Sequence, residues 1–150
     1  MNVPGTPERP RKDHGPVVLA FAMAGAILLL RLVSPGVPEI GDGALHYLQA
    51  AHAWQHPHLL FDHWAKPLYV LFGSPFAQLG HWGMALFNAL LAGFTALGMA
   101  SLIRRQDPLF AWAVPVVLML APQYFYMVFS GMTEILFGAL TIASVCLLLS

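Results

Sequence analysis

Charge is scarce in this chain. Only 9% of its residues are Asp, Glu, Lys or Arg, against about a quarter in an ordinary soluble domain. With 58% of its 150 residues hydrophobic, too few polar side chains exist to cover a globule, so the apolar surface must face something other than water. Net charge is missing too. Seven basic and seven acidic residues cancel, which argues against a nucleic-acid partner or a polyacidic substrate. Cysteine is nearly absent: Cys146 stands alone in an apolar run, which excludes a disulfide framework within the chain and leaves the redox compartment unread.

What remains is a series of apolar runs separated by short polar stretches. Residues 1–16, rich in proline and charge, read as a disordered cytoplasmic tail. Val17–Val33 is apolar apart from Arg31, which lies near enough to the end of the run to snorkel. A signal peptide is the rival reading of this run, but Ser34-Pro35-Gly36-Val37-Pro38 follows it in place of a small-x-small cleavage site. Met84–Ile103 is of full spanning length, with Ala92, Gly93, Ala96 and Gly98 suited to close helix packing. Leu109–Phe129 is a further span, with kinks expected at Pro115 and Pro122. Ile135 opens a fourth, and residues 135–150 end inside it. The expected fold is therefore all-α and polytopic, with about four transmembrane helices, and the chain reads as the front part of a larger membrane domain.

Orientation follows from the basic residues. Arg9, Arg11 and Lys12 precede the first span, and Arg104 and Arg105 return to the same side two crossings later. The positive-inside rule puts both in the cytoplasm, leaving residues 34–81 and 130–134 on the outer face.

The first outer loop holds much of the remaining polarity. Asp42 suits the N-cap of a helix running towards Gln55, with Pro57 as the stop. Leu45, Leu48, Ala51 and Trp54 would share one face, so the helix is expected on the membrane surface, anchored by Trp54 and Trp64. Pro67–Leu79 is apolar but short and broken by Gly73-Ser74-Pro75, which suits an interfacial or re-entrant piece. An acid held at a bilayer surface can act as a general base, and a lysine just above a span can pair with a lipid phosphate.

Three segments carry a resemblance: Asp42-x4-Tyr47-Leu48-x2-Ala51; then Lys66-Pro67-Leu68-Tyr69; then Ser130-Gly131-Met132-Thr133-Glu134-Ile135-Leu136-Phe137. In this order the chain resembles the GT-C superfamily, polytopic glycosyltransferases that use polyprenyl-phosphate sugars, including protein mannosyltransferases and aminoarabinose transferases. The resemblance implies transfer of a sugar to an acceptor on the outer face, in a bacterial inner membrane. Asp42 would then be the catalytic carboxylate, with Lys66 at the carrier phosphate. Glu134, His46 and Tyr47 would complete substrate binding. Leu68 replaces the second proline of the family's Lys-Pro-Pro, and Gly43 stands where many members have a second acid.

Each residue also has a plainer reading. Asp42 can be a helix cap alone, Lys66 a headgroup anchor, and Glu134 a hydrated boundary residue. His52 and His56, with His58, Asp62 and His63 behind them, leave a divalent metal open, although a wet interface explains them equally. No cofactor is firmly implied. The partners implied are a polyprenyl-phosphate-linked sugar, membrane lipid, and the remaining spans or a partner subunit. The competing function is a non-enzymatic small membrane subunit or assembly partner. A transporter fits least, since the spans offer little midplane polarity beyond Asn88 and Thr95.

Overall fold

The computed structural model describes residues 14–34 and 41–149. These residues are all-helical, with seven α-helices, one 3-10 turn and no strand. Of the tail expected over residues 1–16, residues 1–13 lie outside the described residues, while Gly15 and Pro16 already belong to the first helix.

Helix α1 (Gly15–Val33) starts slightly earlier than its apolar run, because Pro16 sits in the first turn where its missing N–H costs nothing. The longest helix, α4 (His81–Arg104), is the hub. It touches α1, α3 (Pro67–Ala77), α5 (Phe110–Leu120), α6 (Pro122–Ser130) and α7 (Glu134–Leu148). Its alanines make this possible. Ala89, Ala92 and Ala96 are buried against the matching stripe Ala20, Ala24 and Ile27 of α1, and small side chains let two backbones approach closely. Gly93 receives the Phe21 ring, and Gly98 receives Ile142 of α7, so the small residues singled out in the sequence are contact points.

Two helices, α1 and α4, are long and apolar enough to cross a membrane. The expected span 109–129 is instead two helices bent by 63°, a third crossing if the pair counts as one. Pro115 is carried inside α5 without ending it. Pro122 does end it, because Ala121 before it takes an extended conformation (φ −61°, ψ 118°), as residues preceding proline prefer. The fourth apolar segment forms α7, which is only 15 residues long, about 22 Å of helix.

The bundle has two distinct ends. At one, Gly15 lies beneath the Trp112 ring, and Arg105 Nη1 donates to the Leu149 carbonyl at 2.7 Å. Asp107 starts α5 there, its Oδ1 accepting from the Leu109 and Phe110 N–H groups. At the other end, α2 (Asp42–His52), a 3-10 turn (Pro57–Phe61) and α3 (Pro67–Ala77) form a layer beside the first half of α4. His46 meets Tyr69, and Gln78 Nε2 donates to the Ala51 carbonyl, so α2 and α3 run in the same direction.

Candidate functional site

The α2–α3 layer positions four of the five residues proposed from sequence, each differently. Asp42 is the first residue of α2 and is exposed. The N-cap is Gly41, and the Asp42 carboxylate makes no capping hydrogen bond, so the capping expectation is corrected.

The helix packs through a different face from the one its leucines suggest. Gly43, His46, Gln49 and Ala50 are buried, while Leu45, Leu48 and Trp54 are exposed. His46 takes the Trp64 carbonyl at 3.2 Å through Nε2 and sits edge-on to Tyr69. Gln49 Nε2 donates to Asp62 Oδ1, which also accepts the Trp64 N–H. His46 is thus a packing residue tying α2 to the approach of α3. Its Nδ1 and the Gln49 Oε1 are buried acceptors without a partner among the described residues.

Tyr47 lies on the other flank of α2. Its ring stacks on His81 at 3.8 Å between centroids, and both line a small enclosed space with Arg31, Phe129 and Ser130. Arg31 is buried there (8% exposed), with its guanidinium over the Phe129 ring at 5.7 Å. This corrects the snorkelling expectation. The start of α2 and the end of α6 close over the last turn of α1, so the guanidinium is held inside.

Lys66 and Glu134, distant in sequence, meet in space. They stand on the two walls of one groove of about 430 Å³, whose floor is apolar and includes Leu68, Leu136, Phe137 and Leu140. Lys66 is the N-cap of α3, and Glu134 opens α7. Each wall therefore presents a helix N-terminus, where backbone N–H groups lack intrahelical partners and carry partial positive charge. Thr133 also lines the groove, its hydroxyl 3.5 Å from Glu134 Oε2. Asp42, His46 and Tyr47 do not line it.

The histidines do not assemble. The helix ends at His52, so His52 and His56 never share a regular helical face, and His56 and His58 are 5.8 Å apart between ring centroids. Among the described residues no three His, Cys, Asp or Glu side chains converge as metal ligands would.

Behind the groove lies a polar node that sequence reasoning passed over. The Tyr69 hydroxyl is 2.9 Å from Asn88 Oδ1 and 2.7 Å from the Gly131 carbonyl. Asn88 Nδ2 donates to the carbonyls of Met132 (2.8 Å) and Met127 (3.3 Å). The only signal in the sequence was a lone asparagine in an apolar run, which demands partners without naming them.

Searches against protein-family models, characterised proteins and solved structures find no match.

The turn into α7 depends on Gly131, which adopts the left-handed conformation (φ 79°, ψ 33°) after α6. A Cβ there would meet only Met84, at 3.9 Å, so backbone conformation and not crowding sets the cost of substitution. Gly131→Ala is expected to lower stability by about 1–2 kcal/mol. Gly131→Asn should cost less, because asparagine tolerates this conformation. Thermal unfolding of the two variants in detergent checks the order; equal losses would point to a steric cause.

Proposed function

We propose that this chain is the donor-binding part of a membrane glycosyltransferase that uses a polyprenyl-phosphate sugar. The observation that carries the reading is the groove itself. It combines one ammonium, two helix N-termini, one carboxylate and an apolar trough. A lipid phosphate that bears a sugar has matching parts. The phosphate suits Lys66 and the N–H of Leu68 at the start of α3, since Pro67 has none to offer. The first isoprene units suit the wall of Leu136, Phe137 and Leu140. Glu134 can accept hydrogen bonds from sugar hydroxyls.

In this reading α1, α4, the α5–α6 pair and α7 cross the bilayer. The end that carries Arg104 and Arg105 is cytoplasmic, and the α2–α3 layer lies on the outer face. The exposed apolar face of α2, with Leu48 and Trp54, would rest among lipid. In the reaction an acceptor hydroxyl oxygen attacks the anomeric carbon, the bond from that carbon to the phosphate oxygen breaks, and the lipid phosphate departs. Asp42 receives the hydroxyl proton, and Lys66 stabilises the negative charge that builds on the phosphate.

One observation favours a second reading. Asp42 does not line the groove. A chain that holds a lipid phosphate without acting on it would be a non-enzymatic subunit with the same groove.

Binding of farnesyl phosphate, a short isoprenyl phosphate, tests the shared core of both readings. Lys66→Gln is expected to weaken binding by roughly tenfold to a hundredfold, the worth of one charge-assisted hydrogen bond. Lys66→Arg should retain most of it. Wild-type protein that does not bind, or Lys66→Gln that binds as well as wild type, would remove the groove from the argument.

A further inference from the structure

We propose that Tyr69 and Asn88 are positioning residues whose buried hydrogen-bond node sets the spacing between the two groove walls. The use made of that spacing rests on the donor-groove reading above; the node itself does not. Lys66 lies one helical turn before Tyr69 on α3, and Glu134 lies one turn after Gly131 at the start of α7. The helices that form the walls scarcely touch one another; each packs on α4. The apolar lining of Leu68, Leu136, Phe137 and Leu140 makes only non-directional contacts.

The node, by contrast, is directional. Tyr69 is 1% exposed and Asn88 is fully buried, so water cannot substitute for either partner. The phenol shares its one proton between two acceptors, Asn88 Oδ1 and the Gly131 carbonyl, and so links α3 to α4 and to the turn. Asn88 uses both Nδ2 protons on the same turn, through Met127 and Met132. Its amide orientation is fixed by these partners, since reversing it would set an oxygen against two carbonyls. A leucine would offer neither donor nor acceptor, and an aspartate would lack both donors.

The test measures groove spacing and ligand affinity separately. Spin labels at Leu71→Cys on α3 and Ser144→Cys on α7, in a Cys146→Ser background, report the distance between the walls by pulsed electron resonance. Both sites are exposed and neither lines the groove. Unlabelled protein in nanodiscs is titrated with farnesyl phosphate. Tyr69→Phe is expected to broaden the distance distribution and weaken binding by about tenfold. Val70→Ala, which trims a neighbouring fully buried side chain, is the packing control. It should lower thermal stability while leaving distance and affinity unchanged. The proposal is overturned if Tyr69→Phe keeps the wild-type distribution, or if Val70→Ala broadens it equally. If the distances respond as expected but wild-type protein binds no farnesyl phosphate, the node stands and the donor reading falls.

Discussion

Asn88→Leu is expected to destabilise the protein by about 1–3 kcal/mol, with loss of order concentrated where α3, α4 and α7 meet. Leucine has the branched skeleton of asparagine with bulkier methyl groups, so no cavity forms. The cost comes mainly from the Met132 carbonyl, since the Tyr69 hydroxyl keeps the Gly131 carbonyl and the Met127 carbonyl keeps the Gly131 and Met132 N–H groups. Individual hydrogen bonds inside membrane proteins often measure well below 1 kcal/mol, because the unfolded chain finds other partners in the bilayer. Here the Met132 carbonyl loses its partner outright and the Tyr69 hydroxyl loses one of two, around a fully buried side chain. Thr95 provides the contrast. Its hydroxyl bonds the Leu91 carbonyl of its own helix at 2.8 Å, a group that the helix already satisfies. Thr95→Val should therefore stay within about 0.5 kcal/mol of wild type. Reversible unfolding in mixed detergent would rank the two, and equal effects would mean that the node contributes nothing special.

Under the proposed function, Asp42→Asn is expected to reduce sugar transfer by about 10²–10⁴-fold while leaving carrier affinity unchanged. The separation follows from geometry. Asp42 starts α2 and is exposed, and it stands outside the groove that holds Lys66 and Glu134. Glu134→Gln should behave in the opposite way and weaken binding before it affects turnover. The assay measures transfer from a radiolabelled polyprenyl-phosphate sugar alongside equilibrium binding of the carrier. If Asp42→Asn keeps full turnover and Glu134→Gln loses it, the general base is Glu134, the one carboxylate among the described residues that lines the groove. If neither variant affects turnover, the catalytic reading of both acids fails.

The helices were legible wherever local signals set them. The start of α2 at Asp42, the start of α3 at Pro67 and the end of α4 at Arg104 fall where acid, proline and paired arginines mark them in the sequence. The juxtaposition of Lys66 and Glu134 was implied only through resemblance, because no local pattern links residues on separate helices. What the sequence hid was tertiary. Arg31 lies near the end of an apolar run, which locally suits snorkelling, yet α2 and α6 close over it. The exposed leucines of α2 obscured the face that packs, since in lipid an apolar face need not be the buried one. Pro115 and Pro122 carry equal local weight, but only the second breaks its helix.

The break at Ala121 also alters how tall the protein is on one side. A straight continuation through the nine residues of α6 would climb about 13 Å, whereas a segment turned by 63° climbs only about 6 Å. The difference of about 7 Å equals roughly five residues of helix. The bend leaves the Gly131–Met132 turn level with Asn88, two turns inside α4, where the amide can hold it.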